Sequence, residues 1–142
     1  MPGSVVALAI DVERTTDDIT STVIAAAIQI HRDLCPGLLE SVCESVLARQ
    51  LVQRGLRVER QVAVSLEYDG FLYEQALRVD LLVEGRIVIE VKSQERLLPV
   101  HSRQLLTYLK LLNLEVGLLI NFGETALKSG LKRIVNNYRR SS

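Results

Sequence analysis

The chain has 142 residues, 48% of them hydrophobic and 24% charged, with three prolines, which suits a single domain whose core needs no staples. Basic and acidic residues number 17 each, so no strong overall field exists to hold nucleic acid or an anionic membrane nonspecifically; any nucleic-acid contact is expected to be local and metal-assisted. The two cysteines, Cys35 and Cys43, form no C-x-x-C and His31 and His101 lie in different segments, which reads as reduced thiols in a cytosolic protein rather than a disulfide framework or a zinc site.

The first apolar run, VVALAI at residues 5–10, is too short to span a bilayer and follows no basic segment. It is expected as an added strand or a loosely held arm, residues 1–16, leaving 17–142 as one domain in a cytoplasmic protein. Asp17-Asp18 opens a predicted helix through DDITSTVIAAAIQIHRDL, with carboxylates at the positive end of its dipole and His31 as a helix-end residue rather than a ligand. Cys35-Pro36-Gly37 stops it. A second helix is predicted from about Leu38 to Arg54, ended by Gly55, with Leu39, Val42, Val46, Leu47 and Leu51 at helical spacing. Strands follow near 57–68, 71–84 and 86–92, the first two separated by Tyr68-Asp69-Gly70.

Pro99 then precedes a predicted helix, VHSRQLLTYLKLLN, with a core stripe of Leu105, Leu106, Leu109 and Leu112. EVGLLIN at 115–121 is nearly continuous in apolar residues, as a strand buried on both faces would be. The tail GLKRIVNNYRR is predicted as a last helix, since Leu131, Ile134, Val135 and Tyr138 fit that period. The order is helix, helix, three strands, helix, strand, which predicts an α/β sandwich around a mixed sheet.

Three charges interrupt the apolar run RVDLLVEGRIVIEVKS: Asp80, Glu90 and Lys92. Strand alternation puts Glu90 and Lys92 on one face and Ile87, Ile89 and Val91 on the other. Asp80 joins them only if the hairpin loop has three residues, Glu84-Gly85-Arg86, which pairs Val83 with Ile87. A two-residue loop, Glu84-Gly85, turns Asp80 to the other face, and Gly85 suits either. Two facing carboxylates repel, and a hard divalent cation, Mg²⁺ or Mn²⁺, relieves that repulsion. A lysine on the same face can orient or deprotonate a metal-bound water or meet developing negative charge, which is the chemistry of phosphodiester hydrolysis. Taken singly, E-x-K and a lone strand Asp are ordinary solvated charges; the D-x9-E-x-K spacing across one hairpin, followed by a helix, is what singles them out.

That order of elements with D…E-x-K resembles the PD-(D/E)XK nuclease superfamily. More narrowly, PGLLESVCESVL, VDLLVEGRIVIEVKS, VHSRQLLTYLK and VGLLINFG are similar to the small bacterial and archaeal GxxExxY proteins, over about Ile19 to Val135. The resemblance implies a helix–three strands–helix–strand core with an extra N-terminal helix. It implies that Asp80 and Glu90, with the Val91 carbonyl and the helix-borne Glu40, hold Mg²⁺ or Mn²⁺. Lys92 would then position the attacking water, and Gln104 and Tyr108 would match the Q-x-x-x-Y of exonuclease-like members. It also implies nucleic acid as the partner, DNA ahead of RNA, and no membrane. Cys43 departs from the motif, standing where the family has tyrosine, and removes a hydroxyl near the presumed site.

The residues themselves leave rivals open. Glu40 falls at the flank of its helix's apolar stripe, and Glu44, one turn on, competes with it. Gln104, Tyr108 and His101 share a helix face that a polar rim beside the leucine core would also explain. Lys128, Lys132, Arg133, Arg139 and Arg140 read either as a solvated tail or as a patch that tracks phosphates. The leading expectation is a metal-dependent nuclease, and the alternative is a catalytically weak or inactive module on the same fold that binds nucleic acid or a protein. A third reading makes the trio a surface ion-pair ladder worth about 1 kcal/mol or less. Homodimerisation fits so small a nuclease fold, because a lone domain offers little surface to grip a duplex.

Overall fold

Thr15 caps the first helix, α1 (Thr16–Leu34), in the computed structural model, which describes residues 14–137. Its hydroxyl accepts the Asp18 N–H at 3.1 Å and the Asp18 carboxylate accepts the Thr15 N–H at 3.2 Å, a reciprocal capping box. Ile19, Val23, Ala26, Ala27 and Ile30 recur at helical spacing and are buried. The VVALAI segment, Tyr138, Arg139 and Arg140 lie outside the described residues.

The second helix, α2 (Glu40–Gln53), corrects the predicted stripe. Leu39 is 73% exposed and Val42 is exposed as well, while Cys43, Leu47, Ala48 and Leu51 are buried. The apolar face runs through Cys43, Leu47 and Leu51 at i, i+4 and i+8, and Val42 lies about 100° around the helix from Cys43. Cys43 behaves as a small core residue, which the count of larger aliphatic residues passed over.

Among the described residues, five strands form one mixed sheet in the order β1 (Val58–Tyr68), β2 (Phe71–Val83), β3 (Ile87–Lys92), β4 (Val116–Asn121) and β5 (Leu131–Val135). Only β3 and β4 are parallel, and α3 (Pro99–Leu112) makes the crossover between them. On one face α1 and α2 cover Leu81, Val83, Ile87, Ile89, Val91, Leu118 and Ile120. On the other, Leu105, Tyr108 and Leu109 of α3 pack on Val79, Val88 and Leu119. The result is the expected α/β sandwich, and no helix among the described residues is long and apolar enough to cross a membrane.

The tail is not the predicted helix. A short 3₁₀ turn (Leu127–Gly130) leads into β5, antiparallel to β4. Leu131 packs toward the α1–α2 core and Ile134 toward the α3 core, so these two serve opposite sheet faces. Every residue of β4 is buried, and β5 supplies partners for its outer backbone edge. That demand outranks a local period spread over few residues.

The β2–β3 turn fixes the register. Glu84 and Gly85 are both left-handed, at φ +54° and +63°, and the Arg86 N–H donates to the Val83 carbonyl at 3.0 Å. Val83 pairs with Ile87, Leu82 with Val88 and Leu81 with Ile89, so the loop has three residues. Glu84, which lacks glycine's freedom, is held by Arg57. Its N–H donates to the Arg57 carbonyl at 2.8 Å and its carboxylate accepts the Arg57 N–H at 2.5 Å. At the far end of β3, the buried Asn121 side chain accepts from the Gln94 and Gly123 N–H groups and donates to the Gln94 carbonyl at 2.9 Å. A Cβ on Gly123 would stand 2.2 Å from the Gln94 carbonyl oxygen, so only glycine lets these two loops meet.

The Arg57 N–H, and after it the guanidinium, lowers the Glu84 carboxyl from the ordinary range. Its contribution is therefore complete above the unfolded carboxyl range and is lost as pH falls through the lowered folded value. Glu84→Ala should cost roughly 1–3 kcal/mol at neutral pH. Urea unfolding at neutral and at strongly acidic pH should show the gap between the two proteins closing in acid.

Candidate functional site

The β2–β3 ladder stops at Leu81 and Ile89, and the next residue of each strand carries a carboxylate. In place of further backbone pairing, the Val91 N–H donates to Asp80 Oδ2 at 2.8 Å and the Asp80 N–H reaches Glu90 Oε1 at 3.4 Å. The three-residue loop thus brings Asp80 against Glu90. Glu90 is only 6% exposed, and burial, then the facing Asp80 carboxylate, push its carboxyl up to about 9 while Lys92 opposes the shift. Lys92 follows on the same face of β3. Its carbonyl accepts the Phe122 N–H at 2.8 Å, and the adjoining Asn121 bonds hold that strand end in place.

The side chains of α3 close the other wall. Tyr108 is buried in the cluster with Val88, Leu105 and Leu109, so it is partly core rather than rim. Burial, then the charges of Glu90 and Asp80, raise its phenol, so the pair's field reaches the ring. Gln104, one turn earlier, is exposed and shares a cavity of about 530 Å³ with Lys92, Val100, His101, Arg103 and Thr107.

Glu40 is exposed at the first position of α2. The Ser93 hydroxyl donates to the Leu38 carbonyl at 2.7 Å, tying the start of α2 to the exit of β3. The Glu40 charge acts on His101, raising its basicity against the larger effects of burial and Lys92. Its rival Glu44 is buried, but it accepts from Arg60 at 3.2 Å and from Gln61 at 2.8 Å. Gln61 also donates to Asp80 Oδ1 at 3.4 Å, so that amide links Glu44 to Asp80.

Gln61 is a residue that sequence reasoning missed. It sits within β1 at φ +50°, a conformation that costs a side-chain-bearing residue about 1 kcal/mol or more. The strand partners on either side, Arg60 with Leu81 and Val62 with Val79, put it across from Asp80. No periodic signal marks it. A polar amide cross-strand from a candidate carboxylate was the only clue.

Asp80, Glu90 and the carbonyls beside them offer the hard oxygen donors that Mg²⁺ or Mn²⁺ takes, and a cation would relieve the opposition that raises Glu90. The donor chemistry fits such an ion. Among the described residues, however, no group of three or more His, Cys, Asp or Glu converges to hold a metal, so the carboxylates stand as a pair. Cys43 lies wholly in the core, where burial and then Cys35 push its thiol up to about 12, which leaves it unreactive at neutral pH. His31 is a helix-end residue, bonded through Nε2 to the Glu124 carbonyl at 2.7 Å. Lys132 and Arg133 lie exposed on β5, and Lys128 lines an apolar cavity with Ile28 and Leu127.

Between about 4.5 and about 9 the folded state holds a proton on Glu90 that the unfolded chain releases. Stability from this group therefore declines as pH rises through that window. Glu90→Gln, neutral throughout, should flatten the decline, as thermal unfolding across the window at low ionic strength and in chelator will show.

No curated protein and no solved structure matches the chain. A family model does, over residues 17–134, a span that includes Glu40, Asp80, Glu90, Val91, Lys92, Gln104 and Tyr108. The chain belongs to the PD-(D/E)XK nuclease superfamily.

Proposed function

We propose that this chain is a nuclease-fold module that binds nucleic acid and hydrolyses it weakly or not at all. The observation that carries this reading is the engagement of the acidic groups with the protein itself. Asp80 accepts the Val91 N–H and the Gln61 amide, and Glu44 is paired with Arg60. Asp80 so occupied ends a strand ladder and satisfies the buried Val91 N–H, and Glu44 is buried with its charge paired, which gives both a structural reason to be present. The cationic wall beside them, Lys92 with Arg103, supports contact with phosphates despite the neutral net charge. The GLLESVC, VDLLVEGRIVIEVKS and VHSRQLLTYLK segments support a narrower place among GxxExxY proteins.

One observation favours metal-dependent hydrolysis as a second reading: Glu90 buried against Asp80 with a raised carboxyl. In that case Asp80, Glu90, the Val91 carbonyl and Glu40 would hold Mg²⁺ or Mn²⁺. The ion would lower the pKa of a bound water and offset charge at phosphorus. Lys92 would donate to the water or to a phosphate oxygen, and Gln104 and Tyr108 would orient the substrate backbone.

Labelled single- and double-stranded DNA and RNA, incubated with Mg²⁺, Mn²⁺ or chelator, separate the readings. The expected result is binding that persists in chelator, with little or no cleavage in either metal. Rapid cleavage lost in both Asp80→Asn and Lys92→Ala would establish the hydrolytic reading instead. No binding to any of the four probes would remove both.

A further inference from the structure

The cavity beside the carboxylate pair has a donor inventory that the superfamily match does not account for. Its volume, about 530 Å³, falls within the roughly 300–1,000 Å³ of small-ligand pockets. Its wall carries Lys92 from the end of β3 and His101, Arg103, Gln104 and Thr107 from the first turns of α3, with no carboxylate among them. Two formal cations with His101 and Gln104 as neutral donors, and no carboxylate in the lining, make a site for an oxyanion, while the Thr107 hydroxyl donates to the Arg103 carbonyl.

His101 is the informative member. Its Nδ1 accepts the Leu98 N–H at 3.0 Å, which caps α3. A neutral imidazole carries one N–H, so a ring that accepts at Nδ1 presents Nε2–H as a donor. Burial and the Lys92 ammonium both favour the uncharged ring, with only Glu40 opposing them. The cap therefore fixes both the position and the tautomer of a side chain that lines the cavity.

We propose that Lys92, His101 and Arg103 form a phosphate subsite, with His101 donating through Nε2 as a neutral positioning residue. This rests on the nucleic-acid reading above and names where a backbone or terminal phosphate is held. Arg103 supplies the exposed charge that draws the phosphate in, and His101 supplies a directed bond at fixed geometry. His101 is neither a metal ligand nor a proton carrier in this arrangement.

The capping role and the phosphate role can be separated by substitution. A glutamine or glutamate at the third helical position also accepts the cap N–H, so both His101→Gln and His101→Glu keep α3 capped. His101→Gln retains a donor toward the cavity, whereas His101→Glu places a negative charge there. Binding of a 5′-fluorescein single-stranded oligonucleotide, measured by anisotropy in chelator across a salt series, reads the difference.

Relative to the wild type, His101→Gln should bind within about threefold, and His101→Glu should bind more than roughly tenfold weaker with an unchanged melting temperature. Arg103→Gln should also reduce the slope of log K against log salt by about 0.7, the share of one phosphate contact on a single strand. Competition by unlabelled strands with and without a 5′-phosphate identifies the source. Preference for the phosphorylated strand that Arg103→Gln abolishes means a terminal phosphate; no preference means an internal diester. If the wild type binds and His101→Glu and Arg103→Gln bind equally well with unchanged salt slope, the subsite is wrong while the nucleic-acid reading stands. If the wild type binds no oligonucleotide, both fall.

Discussion

The register of the β2–β3 hairpin is the constraint on which the site depends. A slip of one residue would turn Asp80 to the face covered by α1 and α2 and leave Glu90 without a partner. Val83 pairing with Ile87 excludes that slip, and the left-handed Glu84 is what makes the three-residue loop hold. Its backbone and carboxylate both engage Arg57 at the start of β1, so the first strand clamps the turn that positions the second and third. At the opposite end of β3, Asn121 joins the two loops that leave the parallel strands. Glu90 and Lys92 are thus held between a clamp before β3 and a staple after it.

Within that frame Asp80 has two kinds of work. Its carboxylate replaces a ladder acceptor for the Val91 N–H, and it opposes the buried Glu90. A carboxylate that accepts a backbone N–H at 2.8 Å retains further lone pairs, so the structural bond and a ligand role are chemically compatible. What weighs toward a binding module is the disposition of the other acids. Glu44 is committed to Arg60 and Gln61, and Glu40 stands exposed at the start of α2. The superfamily's fold is present, while the buried Glu44 is spent on pairing within the protein.

Much of this was legible in the sequence because it follows from period and punctuation. The strand pair flanking Glu84-Gly85, the α3 helix and the continuous apolar β4 each emerge close to their observed bounds, although Tyr108 rather than Leu106 is buried with Leu105 and Leu109. The shared face of Glu90 and Lys92 needed only strand alternation. Asp80 needed the turn, and Gly85 alone could not decide it, because the decisive left-handed residue was Glu84, held by a side-chain bond to a residue far away in sequence. Gln61, Glu44 and Asn121 share that difficulty: their roles exist only through tertiary bonds, and no local pattern encodes them. The β5 segment misled for a different reason. Leu131 and Ile134, three apart, satisfy one helix face as readily as two strand faces, and only the open edge of β4 decides between them.

The claim that Asp80 and Glu90 form one coupled unit, rather than two solvated charges, is open to direct measurement. A carbon-13 NMR titration of the Glu90 carboxyl, in the wild type and in Asp80→Asn, reads that coupling at the atom concerned. A wild-type midpoint near 9, far above the ordinary 4.5, and a clear downward move when the Asp80 charge is removed are the expected results. A midpoint near 4.5 in both proteins would contradict that claim and return the hairpin to an ordinary charged surface.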